Sequence, residues 1–122
     1  MKGDADVGRE LLSHKRTDVY LPQPVLAEIE YGLSRLARSA RQRRLRERFD
    51  GICRELKRLD WTDEVSRSFG ATKADLEKRG VRIEDFDVAV AAHALAVGAT
   101  LVTDNVGHLG RVRNLKLENW LT

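Results

Sequence analysis

Cysteine is nearly absent from this chain, with Cys53 alone among 122 residues. A single thiol excludes an intramolecular disulfide and any cysteine-based zinc cluster. Its helical spacing with apolar neighbours marks it as a core thiol in a reducing compartment. Aromatic residues are also scarce, at 6%, and they form no cluster suited to stacking successive single-stranded bases. The chain has no long apolar run. Its most apolar stretch, Val88 to Thr103, is interrupted by His93 and Gly98 and is too short to span a bilayer. Met1-Lys2-Gly3-Asp4-Ala5-Asp6 contains no apolar core of a signal peptide. A cytoplasmic protein with no membrane partner is therefore expected. Internal repeats, low-complexity segments and interdomain linkers are missing as well, so residues 1–122 are expected to form one domain.

What is present points to a folded α/β protein with segregated charge. Composition is 42% hydrophobic and 34% charged, enough apolar material to build a core at this length. The net charge of +3 is unevenly spread. Residues 35 to 58 hold ten Arg or Lys against three acids, a balance of +7, which leaves −4 elsewhere. A basic face that attracts polyanions beside an acidic remainder that holds cations is one reading. A solvated helix face is the other, and charge alone does not separate them.

Hydrophobic spacing alternates between helical and strand-like periods. Val7, Leu11 and Leu12 mark a short first helix, and Asp18-Val19-Tyr20-Leu21 reads as a strand stopped by Pro22. Pro24 suits a first helical position, after which Val25, Ile29, Gly32 and Leu36 share a face. The next helix has Leu45, Phe49, Ile52, Cys53 and Leu56 as its stripe. Leu59-Asp60-Trp61 is expected as a short strand. Thr62 is expected to cap a helix that runs through Val65, Phe69, Thr72 and Leu76 to Gly80. Asp85 is the expected N-cap of a helix that is apolar nearly all round and closes at Gly98, as a buried helix should be. Thr100 to Thr103 is expected as a buried strand and Leu115 to Trp120 as a half-exposed one. Strands separated by helices imply a parallel sheet covered on both faces, with ligands gathering beyond the carboxyl ends of the strands.

Three acids stand where a carboxylate is costly without a compensating cation. Glu28 lies within a helical run, Asp87 opens an apolar helix, and Asp104 follows an apolar strand. A hard divalent ion, which prefers oxygen ligands, is the simplest compensator. Each acid also has an ordinary explanation. The helix dipole favours Asp87, Asp104 and Asn105 suit a turn, and Glu30 lies as far from the apolar face as Glu28 does. Together, on an α/β scaffold with a basic helix, the three acids outweigh those explanations. His93 is offset by six residues from Asp87 and reads as a core histidine. His14 and His108 sit in polar surroundings and suggest no role.

Val25-Leu26-Ala27-Glu28-Ile29-Glu30-Tyr31-Gly32 resembles the second acidic motif of PIN-domain ribonucleases of the VapC toxin type. Asp87-Val88-Ala89-Val90-Ala91-Ala92-His93-Ala94-Leu95 is similar to their third. Gly98 to Asn105 and Leu117 to Trp120 are similar to their last strands. The resemblance covers essentially the whole chain. It implies a three-layer α/β/α domain with a central, mainly parallel sheet that cuts RNA with Mg²⁺ or Mn²⁺. It also implies a homodimer held inactive by a cognate antitoxin. Glu28, rather than Glu30, falls on the family's acidic position, as does Asp87. In the fourth motif the acid falls on Asp104, although the family's Thr-x-Asp form would place it on Asn105. The strand ending in Asp with which the family opens has no counterpart. Met1 to Asp4 matches the turn after the relatives' first helix, so Asp4 and Asp6 are expected to be loop acids. A start assigned at an internal Met is expected in preference to an inactive descendant.

On this reading Asp87 is a direct metal ligand, and Glu28 and Asp104 are direct or water-mediated ligands. Arg35, Arg38, Arg41, Arg43 and Arg44 would grip the RNA backbone without reading its sequence. Val7, Leu11, Leu12, Leu33 and Leu36 either offer a surface to the partner chains or face the core. The competing reading is a catalytically inactive PIN-like module that binds RNA or protein.

Overall fold

The computed structural model describes residues 19–103 and 106–119, and these fall into two compact units, residues 19–60 and residues 61–119. The expected helix at Val7 to Leu12 lies outside the described residues, as do Asp4, Asp6, His14, Asp104, Asn105 and Trp120.

In the first unit, β1 (Tyr20–Pro22) leads directly into α1 (Gln23–Arg35), followed by α2 (Ala40–Glu55) and β2 (Lys57–Leu59). Pro22 is both the last strand residue and the N-cap of α1, because its backbone is extended at φ −67° and ψ 145°. Its missing N–H is tolerated at a strand end, and Pro24 needs no intrahelical donor in the first turn. β1 pairs with β2 in parallel, with Tyr20 opposite Lys57 and Pro22 opposite Leu59. The second strand thus begins two residues earlier than Leu59-Asp60-Trp61 suggests. Leu56 leaves the helix in an extended conformation, and the chain pairs at once.

The two helices of this unit are joined by polar bonds as well as packing. Gln42 Nε2 donates to the carbonyls of Leu33 (2.8 Å) and Leu36 (3.3 Å), which satisfies acceptors left open at the end of α1. Ser39 caps α2 by accepting from the Gln42 amide at 3.1 Å. Leu33 and Cys53 are buried, Leu36 is half-buried and Ile52 is exposed. Leu33 therefore supplies core and not the partner surface considered for it. Burial pushes the Cys53 thiol up, so this side chain behaves as a small hydrophobe.

The second unit contains α3 (Asp63–Lys78), α4 (Asp85–Val97), β3 (Thr100–Val102), the short α5 (Val106–Leu109) and β4 (Lys116–Glu118). Thr62 caps α3 as expected, its hydroxyl accepting from the Val65 amide at 3.3 Å, and Asp63 and Glu64 follow in the first turn. Gly80 ends the helix at φ 69°, with the Val81 amide returning to the Leu76 carbonyl at 2.9 Å. This is the left-handed closure that glycine permits. The N-cap of α4 is Glu84 and not Asp85. The Glu84 carbonyl accepts from the Val88 amide at 3.0 Å, while the Asp85 carboxylate pairs outward with Lys73 Nζ at 3.1 Å.

Every residue of α4 from Val88 to Ala94 is buried. Leu76, Val88, Ala91, Leu109 and Val112 form the core, with Phe69, Ile83, Leu95, Leu101 and Leu117 packed around them. Full burial of Leu76 or Val88 stabilises the unit by about 1.5–3 kcal/mol each. β3 runs parallel to β4, with Leu101 opposite Leu117. Thr100 and Val102 are exposed and only Leu101 is half-buried, so β3 is not the fully buried strand expected. Its alternation gives one face to the core and leaves the other open. Asp75 anchors the end of α3 to the loop after α5, receiving Arg79 at 2.8 Å and Arg113 at 3.4 Å. Among the described residues no helix is long and apolar enough to cross a membrane.

Candidate active site

α1 carries Glu28 and Glu30 about 200° apart around its axis, and their surroundings differ accordingly. Glu30 faces α2, where Arg46 grips both of its oxygens, Nη1 at 2.6 Å and Nη2 at 2.8 Å. That bidentate fork holds the Glu30 carboxyl below the usual carboxylate range. Asp50 adds a second acid beside Arg46 at 3.6 Å, so the guanidinium is paired within the unit. Glu28 is exposed, and no hydrogen bond or ion pair is recorded for it among the described residues. One helix therefore holds one carboxylate consumed in packing and another presented outward.

Asp87 is the third residue of α4, half-buried, and Val88 behind it is 1% exposed. It sits at the N-terminal end of a helix of 13 residues, where backbone amides and the macrodipole favour negative charge. β3 directs the chain toward Asp104. The Thr103 amide donates to the Glu118 carbonyl at 3.0 Å, so strand pairing extends to the residue before the acid. Asp104 itself lies outside the described residues. Among the described residues no group of three His, Cys, Asp or Glu is arranged to hold a metal. The candidate donors are all carboxylates, a set that suits a hard divalent ion and not a thiophilic one.

The arginines foreseen for phosphate contact, Arg35, Arg38, Arg41, Arg43 and Arg44, are all exposed. Arg46, from the same run, is half-buried and bonded to Glu30. Arg35 lies over the ring of Tyr31 at 5.5 Å from its centroid, and Tyr31 is 57% exposed. Sequence reasoning passed over Tyr31, although its i, i+4 spacing to Arg35 was a legible signal. His93 is the core residue expected. It is fully buried, with Nδ1 donating to the Ala89 carbonyl at 2.7 Å.

Residues 2–114 match the family model of the PIN domain. The chain belongs to the PIN-domain family. It is of the VapC type. Ribonuclease VapC2 of Rickettsia felis is 34% identical over 111 residues, 91% of this chain and 80% of that protein. The tRNA(fMet)-specific endonuclease VapC of Shigella flexneri is 26% identical over 112 residues, 92% of this chain and 83% of that protein. Among solved structures, VapBC2 from Rickettsia felis bound to a DNA fragment from its promoter superposes with a TM-score of 0.83 at 31% identity. It covers 97% of this chain and 86% of that one. The PIN-like α/β fold with parallel strands is thus the fold of this chain.

Proposed function

We propose that this PIN domain is the ribonuclease toxin of a toxin–antitoxin pair, hydrolysing RNA phosphodiesters where Glu28, Asp87 and Asp104 hold Mg²⁺ or Mn²⁺. The family match carries the reading, because it runs over residues 2–114 and takes in all three acids. The local chemistry of α1 supports the choice of Glu28. Glu30 cannot serve a metal without giving up both bonds to Arg46, whereas Glu28 is exposed. Asp87 lies in the first turn of α4, where the helix dipole favours a carboxylate.

A divalent ion bound there would acidify water near neutral pH and offset charge on the scissile phosphate. The carboxylates of Glu28, Asp87 and Asp104 would hold it through oxygen. Arg35, Arg38, Arg41, Arg43 and Arg44 would neutralise backbone phosphates and keep the strand in place. A cognate antitoxin that blocks this surface, and a second copy of the chain, complete the assembly proposed.

The test is cleavage of tRNA and unstructured RNA by the purified chain with Mg²⁺ or Mn²⁺. E28Q, D87N and D104N keep shape while removing charge, so each should abolish cleavage in a folded protein. E30Q should leave cleavage measurable. Loss of activity in E30Q with full activity in E28Q would reverse the assignment on α1. RNA binding without cleavage under every metal condition would favour the inactive binding module.

A further inference from the structure

Tyr31 is the most exposed of the large apolar side chains described, at 57%. It lies three residues beyond Glu28 on α1, about 4.5 Å along the axis and about 60° away around it. Arg35, one further turn along, places its guanidinium 5.5 Å from the ring centroid. Glu28, Tyr31 and Arg35 therefore follow one another along a single exposed strip of the helix. Arg38, in the loop after α1, and Arg41, in α2, are exposed as well. An i, i+4 aromatic–cation pair also stabilises a helix end by itself, but it does not require the ring to stay in water.

We propose that Tyr31 is a positioning residue, a platform on which one base of single-stranded RNA stacks. Arg35 would hold the ring from one side and meet the adjoining phosphate. This rests on the ribonuclease reading and deepens it, since a base held there would belong to a nucleotide next to the phosphate at Glu28. An aromatic face tolerates any base, so the contact selects unpaired over paired RNA and not one sequence over another. Charge complementarity favours a nucleic acid over an apolar partner segment, because Arg35 lies over the ring and Arg38 and Arg41, which follow in sequence, are exposed.

The test measures binding of a short fluorescent single-stranded RNA to the full chain in EDTA, where no cleavage occurs, with inorganic polyphosphate as a base-free polyanion. Y31A should weaken RNA binding about tenfold, within the range of one lost base stack, and leave polyphosphate binding as it was. Y31W should restore RNA binding. R35Q should weaken both ligands. Y31L keeps apolar bulk without a π-face and should give the Y31A result if alanine disturbs folding. In metal-dependent cleavage, Y31A should raise KM more than it lowers kcat.

Y31A and Y31L binding RNA as wild type does would overturn the platform. So would equal losses for RNA and polyphosphate, or a loss confined to the co-expressed antitoxin. A wild-type chain that cleaves RNA while Y31A binds normally overturns the platform alone. Tyr31-dependent binding in a chain that never cleaves supports the platform and removes the ribonuclease reading.

Discussion

His93 allows the packing argument to be tested where two effects nearly cancel. Its ring is 0% exposed. Nδ1 donates to the Ala89 carbonyl at 2.7 Å, which uses one of the two ring nitrogens. Nε2 is buried and has no hydrogen-bond partner among the described residues. Leaving such a nitrogen unsatisfied costs about 1–3 kcal/mol. The ring also meets Trp61 edge-on, centroids 5.3 Å apart at 89°, a contact of about 0.5–1.5 kcal/mol. Substitution by leucine removes the orphaned nitrogen, the Nδ1 bond (about 1 kcal/mol net) and the ring contact together. The Ala89 carbonyl is not orphaned in turn, because the helix ladder still supplies the residue 93 amide. H93L should therefore lie within about 1 kcal/mol of wild type, whereas H93A leaves a cavity and should lose about 2–4 kcal/mol. Urea unfolding of the full chain, compared by midpoint at constant slope, reads both. If H93L loses as much as H93A, then Nε2 has a partner in solution and the accounting for this helix is wrong.

Three further outcomes follow from particular bonds. The Glu30 carboxyl is lowered in the folded chain, chiefly by its hydrogen bond from Arg46. Its stabilisation is therefore present above the unfolded carboxylate value and lost as pH falls through the folded one. The difference in Tm between wild type and E30Q should be steady near neutrality, close on acidification below about pH 4, and shrink in high salt because both groups are substantially exposed. Gly98 closes α4 at φ 68°, and a methyl group there would meet none of the described residues within 4 Å. G98A should then cost only the backbone strain of the left-handed region, about 1 kcal/mol in urea unfolding, and a larger loss would reveal a clash that is not expected. Each of Arg38, Arg41, Arg43 and Arg44 changed to Gln should lower the slope of log affinity for RNA against log salt by about 0.7 if it meets a phosphate. An unchanged slope would mark that arginine as solvated.

How far the sequence could be read depended on whether a feature is set locally or by partners distant in the chain. The helix at 85–97 was legible because its apolar residues surround the axis, and that admits only a buried position; residues 88 to 94 are buried accordingly. Thr62 and Gly98 were legible because capping is decided within one turn. The cap at Glu84 was missed because Asp85 has the better capping side chain, and only the structure shows that side chain committed to Lys73. β2 was displaced because a strand of three residues is placed by its pairing with β1 and not by its own composition. The carboxylates follow the same division. A helix wheel separates Glu28 from Glu30 by angle but does not show which side carries a cation. That information sits sixteen residues away in Arg46, inside a run whose arginines look interchangeable when only charge is counted. Arg46 belongs to the fold, while Arg38, Arg41, Arg43 and Arg44 are exposed. The positive surface offered to a polyanion is therefore smaller than the balance of +7 over residues 35 to 58. The bond that removes Arg46 from that surface also removes Glu30 from the choice of metal ligands, so one ion pair narrows both halves of the proposed site.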